Sequence, residues 1–272
     1  MEALLFFLLV GVALGSGYAF LHILRRRRRR KLLSSPFPKK WSEILEANLP
    51  PYKKLSLPVR QQLHDLIRIF IAEKSFEGCG GLALTDEILV TIAAQACMLL
   101  LNRKVECYPK LYSILVYPST YVAGARNTLQ GGWEEGSVRL GESWQSGAVV
   151  LAWDNVRHGA INFRDGHNVT MHEFAHQLDQ EDGAGDGTPI LETRTAYSSW
   201  ARIFTKEYEL LQEKTRRGRK SVMGEYGATN PAEFFAVATE TFFEKPRQLN
   251  ANHPELFQEM KSFYKVNPLE WL

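Results

Sequence analysis

The sequence predicts an α+β domain preceded by a single membrane-spanning helix. Three patterns carry that expectation. An uncharged apolar run fills residues 3–24, two strand-like runs lie at 112–118 and 147–153, and amphipathic helical periods flank the strands on both sides. At 272 residues and 45% hydrophobic content, the chain is long enough for one sizeable core.

From the N-terminus, "ALLFFLLVGVALGSGYAFLHIL" has no charged residue. As a helix it would extend about 33 Å, enough to cross a hydrocarbon core of about 30 Å. Glu2 precedes the run and "RRRRRRK" (25–31) follows it, the reverse of a signal peptide's charge order. The positive-inside rule then keeps the arginines in the cytoplasm. The expectation is a single-pass protein of the bacterial inner membrane, anchored through residues 1–31, touching lipid through 3–31, with the domain that follows cytoplasmic. That basic run also explains the charge balance. The formal net charge is +3 and the run contributes +7, leaving −4 for the rest. No broad basic face remains to suggest a nucleic-acid partner.

Residues 32–55 contain "SSPFP" (34–38) and read as a linker and the start of the soluble region, with the domain proper over 56–272. Ser56 is placed to cap a helix to about residue 74, with Val59, Leu63, Leu66, Ile67 and Phe70 on one face. "EGCGG" breaks it. Thr85 caps a second helix to about residue 101, and Asp86 and Glu87 suit its positive end. The β-branched and aromatic runs "YSILVYP" and "GAVVLAW" are strands. Between them, the Gly and Ser density of 128–147 suggests turns joining short strands. Helices resume with the motif segment, which Asn168 can cap and Gly183 ends, and follow around 196–214, 231–243 and 254–266. Cys79, Cys97 and Cys107, an odd number in no ligand spacing, read as reduced thiols.

The chemistry sits in "NVTMHEFAHQLDQEDG" (168–183), which contains H-E-x-x-H. On a helix, His172 and His176 project from one face at i and i+4, so both imidazoles can reach one Zn2+ ion. Glu173 lies beside them, where a carboxylate can deprotonate water. A catalytic zinc takes three protein ligands. Asp182 stands where metzincin-type sites place their last ligand, but Asp179 occupies the position of the glycine that such a turn needs. Met223 is thin support for a Met-turn. Glu240 is helical, with no other polar group aligned to it. Glu233 is better placed: Asn230 caps, Pro231 fits the first helical position, and Glu233 projects from the first turn. Asp179 is a candidate acceptor for a ligand imidazole, and Trp144 and Trp153 are candidates to line subsites.

The segments "GGLALTDEILVTIAAQACMLLL", "LVYPSTYV", "LGESWQSGAVVLAWDNV", "GHNVTMHEFAHQLDQEDG" and "YGATNPAEFFAVATETFF", in this order, resemble the Mlc titration factor A family of zinc-dependent peptidases. The likeness runs from about Phe70 to the C-terminus. The metal region also resembles the catalytic domain of anthrax lethal factor, through Tyr226, Gly227, Asn230, Ala232, Glu233, Phe234 and Phe235. The resemblance implies a zincin-like domain that hydrolyses a peptide or protein substrate. It implies zinc on His172, His176 and Glu233, with Glu173 as base and Tyr226 assisting the transition state. It also allows a cytoplasmic regulatory protein, a transcriptional repressor, as partner. Val237 stands where the toxin has a second acidic residue, so support for Glu233 must come from elsewhere.

Overall fold

The computed structural model describes residues 2–103, 106–119 and 147–271. The chain divides into two compact units, Met1–Pro38 and Lys39–Leu272. The first is one helix, α1 (Glu2–Leu33), with Arg30 and Lys31 at its negative end. Ser34 closes it, donating its amide to Arg30 O and its hydroxyl to Lys31 O. This helix does not stop where the apolar run stops; it continues unbroken through the arginines. Among the described residues no helix is long and apolar enough to cross a membrane. That finding overturns the expected single-pass location in the inner membrane.

The second unit is a mixed helical domain around a small parallel sheet. Its elements are α2 (Lys39–Asn48), α3 (Leu57–Glu73), β1 (Ser75–Gly78), α4 (Asp86–Met98), β2 (Ser113–Tyr117) and β3 (Ala148–Ala152). There follow α5 (Trp153–Ile161), α6 (Val169–Asp179), α7 (Arg194–Arg216), α8 (Pro231–Glu244), α9 (Pro246–Asn252) and α10 (Pro254–Tyr264). The strands do precede the motif helix, α6. They pair in the order β1-β2-β3, all parallel, with Ser75 opposite Ser113 and Ser113 opposite Ala148. Parallel pairing requires a crossover, and α4 supplies it between β1 and β2. Of the turns expected over 128–147, residues 128–146, Trp144 among them, lie outside the described residues.

Local chemistry sets most helix starts. Thr85, Asn168, Thr193 and Asn230 each accept a hydrogen bond from an amide of the first turn they cap. Ser56 has the extended cap backbone without a side-chain bond. α4 is the central helix: Ile92, Ala93, Ala96, Cys97 and Met98 are wholly buried, packed among α2, α3, α5 and α6. All three cysteines are free thiols. A second core is aromatic, with Trp200 stacked on Phe204 at 3.8 Å between centroids and edge-on to Phe235 and Phe263. These two cores hold α6 and α8 face to face.

Candidate metal centre

Asn168 fixes the start of α6. Its carbonyl oxygen Oδ1 accepts the amide of Met171 (2.9 Å), and four residues beyond the cap His172 faces α8. On α8, Asn230 Oδ1 accepts the amide of Glu233 (2.9 Å), which places Glu233 in the first turn. The two helix starts bring His172 Nε2 within 3.0 Å and His176 Nε2 within 3.3 Å of the same oxygen, Glu233 Oε2. The ring nitrogens themselves are 3.2 Å apart. His172, His176 and Glu233 form a group whose ligand atoms lie within 4.8 Å of one another.

This donor set fits a divalent cation. Two imidazole nitrogens and one carboxylate oxygen converge on a single point. That is the ligand chemistry of a three-ligand catalytic site with one position open. The remaining nitrogen of His172 is also spoken for. Nδ1 lies 2.8 Å from Glu240 Oε1, so a proton on Nδ1 leaves the Nε2 lone pair directed at the group. Asp182 is not in the group; its Oδ1 accepts the amide of Ala184 in an exposed turn. Met223 is buried ahead of the Tyr226 turn.

Charges around the site shift one another. Burial alone raises Glu233, but hydrogen bonds from His172 and His176 override it and take the carboxyl down to about 2. Burial lowers His172, and Glu233 with Glu240 outweighs it, carrying the ring up to about 10. His176 is lowered, chiefly by burial. Glu173, only 5% exposed, is pushed up to about 7 by burial, with Glu233 and Glu240 adding to the rise and His172 opposing it. Any cation on these ligands requires neutral imidazoles, so its binding releases protons.

Glu240 was set aside on sequence grounds, for want of an aligned polar group. The structure supplies two. Besides His172, the amide of Asn168 donates to Glu240 Oε2 at 2.5 Å. One turn further on, Glu244 accepts Asn168 Nδ2 (3.0 Å) and the amide of Gly166 (2.9 Å). Residues 233, 240 and 244 stand at i, i+7 and i+11, one face of a helix. That spacing is a signal the sequence carried. Asp179 behaves differently from the expectation. Its Oδ2 accepts the amide of Gly187 (2.9 Å) in place of an imidazole, and burial pushes it up to about 6.

The group opens into a cleft of about 980 Å³, with Val150, Leu151 and Ala152 of β3 on one wall. Tyr226 lines the cleft from the 3-10 turn Glu225–Ala228, 43% exposed, its ring 6.0 Å from that of His172. Gly227 lets this turn sit close to α8: a Cβ there would lie 3.2 Å from the Cβ of Val237. The apolar residue at 237 thus serves the approach of Tyr226, and the acidic support from Glu240 goes to His172 in place of Glu233. Trp153 starts α5 half-buried and is not among the cleft-lining residues.

Comparison with known proteins agrees with this geometry. A family model described as glucose-regulated metallo-peptidase M90 matches residues 23–265. An uncharacterised protein of Synechocystis is 44% identical over 246 residues, covering 89% of each chain. The Mlc titration factor A of Serratia proteamaculans is 30% identical over 240 residues, 84% of this chain and 87% of that one. Its Klebsiella pneumoniae counterpart is 29% identical, covering 85% and 87%.

Proposed function

The chain belongs to the glucose-regulated metallo-peptidase M90 family, and on that premise we propose that it is a zincin-like zinc peptidase with His172, His176 and Glu233 as ligands. The observation that carries the reading is the convergence of both histidines on one oxygen of Glu233, with Glu173 buried beside them. When bound, zinc supplies Lewis acidity, lowering the pKa of a water molecule and polarising the scissile carbonyl.

The chain's own groups do the rest. The Glu173 carboxylate takes a proton from the attacking water and returns it to the leaving amine nitrogen. The Tyr226 hydroxyl donates a hydrogen bond to the oxygen on which negative charge develops. Glu240 keeps the proton of His172 on Nδ1. β3 is the last strand of the described sheet, and an extended peptide laid along it would gain main-chain hydrogen bonds. Zinc-stripped and zinc-restored full-length protein, tested on a peptide library, decides the matter. Cleavage should disappear with the metal and return with it; cleavage indifferent to a chelator would contradict the reading.

A second reading draws on the relatives named Mlc titration factor A. In it the chain binds a regulatory protein, and hydrolysis is secondary. A binding surface has no need of a buried carboxylate beside a metal group, which is why we place the peptidase first.

A further inference from the structure

We propose that Asp186 makes the cleft selective for peptides bearing a Lys or Arg side chain, which it takes as an ion pair near the scissile bond. The inference rests on the peptidase reading and adds a substrate class to it.

The charge census of the cleft is one-sided. Four carboxylates, Glu173, Asp186, Glu233 and Glu240, line it, and no Lys or Arg does so among the described residues. The site chemistry engages three of them. Glu233 faces the two histidines, Glu240 holds His172 and the Asn168 amide, and Glu173 is buried next to the group. Asp186 is the remainder. Its Oδ1 accepts the amide of Thr188 (3.0 Å), and among the described residues it has no cationic partner.

Asp186 is also held in place, and a fixed charge loses less entropy on binding than a free one. Gly187, the next residue, is gripped from both sides. Asp179 accepts its amide, and the buried Trp200 donates Nε1 to its carbonyl (3.0 Å). Gly187 has a φ of +84° and lies so close to Pro231 that a Cβ would stand 2.4 Å from the Pro231 carbonyl oxygen. The loop is thereby pinned to the start of α8, two residues from Glu233. Histidines are the other basic side chains on the wall, and His158 already faces Asp165 at 3.1 Å.

The test uses zinc-loaded full-length protein carrying Glu173→Gln, which binds peptides without turning them over. N-acetylated peptides, whose α-ammonium is blocked, differ only in Lys or norleucine at one position in turn. Fluorescence anisotropy should show Lys tightening binding about tenfold at one position, the scale of a charge-assisted hydrogen bond. Adding Asp186→Asn, which can still accept the Thr188 amide, should bring that ratio to about one. Asp182→Asn in the same loop should keep it. A ratio near one at every position, or a ratio that survives Asp186→Asn, overturns the proposal. Loss of all binding on N-acetylation assigns the cation to the α-ammonium and overturns it equally. Cleavage of the norleucine peptides by the wild-type chain reports on the peptidase reading separately, so either can fail while the other stands.

Discussion

The two faces of α8 are built on opposite principles. One face turns Glu233, Glu240 and Glu244 toward α6, and each carboxylate is matched to named donors. The other turns Phe234, Phe235 and Phe242 toward α7 and α10, where they meet Phe204, Trp200, Phe257 and Tyr264 edge-on, tilted or stacked. Aromatic burial stabilises the fold without specifying chemistry. Buried carboxylates stabilise little, because desolvation offsets what their partners return. What they provide is position. The rigid aromatic face carries the helix, and the polar face spends that rigidity on aiming three atoms at one point.

If this division holds, substitutions on the two faces must fail differently. The largest effect is expected from Glu233→Ala. It should abolish stoichiometric metal in the purified protein, while Asp182→Ala should keep it. Metal lost from the Asp182 variant alone would move the third ligand to the loop. Next comes Phe242→Ala on the aromatic face, where Phe242 is wholly buried. It should cost about 3–5 kcal/mol in urea unfolding, and the folded fraction should bind metal with unchanged affinity. A weakened metal site there would break the distinction between the faces.

Glu240→Gln should produce a smaller, opposite pattern. An amide can accept from His172 Nδ1 or from the Asn168 amide, but its NH2 group then confronts the other donor. Metal affinity, measured by chelator competition, should fall about 10–100-fold. Affinity equal to the wild type would remove Glu240 from the positioning machinery.

How far these faces could be read from the sequence differs by range. H-E-x-x-H is a local pattern, and Asn230-Pro231 sets a helix start, so the helical positions of His172, His176 and Glu233 could be read locally, although Glu233 meets the histidines across 61 and 57 residues. The partners of Glu240 are 68 and 72 residues away in the chain, and no local period announces a contact of that range. The same limit explains the missed elements. α2 begins just after Pro36 and Pro38, whose turn chemistry hid it in a linker. α5 starts directly at the end of β3, so the aromatic Trp153 prolongs the strand-like run although it begins the helix. β1 has only four residues, Ser75–Gly78, and its glycine read as a break. In α1 the apolar run was legible, but the helix that continues through Arg25–Lys31 was not.

The smallest effect concerns pH. Burial pushes Glu244 up to about 8 from an ordinary 4.5, despite hydrogen bonds from Asn168 and Gly166. Its folded state therefore holds a proton that the unfolded chain has released. The stability linked to it is fully present below about pH 4.5 and is lost as pH rises through about 8. Metal-free Glu244→Gln should show a flatter decline of unfolding free energy across that window than the metal-free wild type. Equal slopes would mean that Glu244 is ionised in the fold.

Whether the group between α6 and α8 hydrolyses peptides, as proposed, is decided by Glu173→Gln on α6. Glutamine keeps the size of the side chain, and Glu173 is not assigned as a ligand, so zinc content and folding should match the wild type. Turnover of a cleavable peptide should fall by about 100-fold or more, the scale of losing a general base. A fully metallated Glu173→Gln protein that cleaves the same peptide at the wild-type rate would contradict the account.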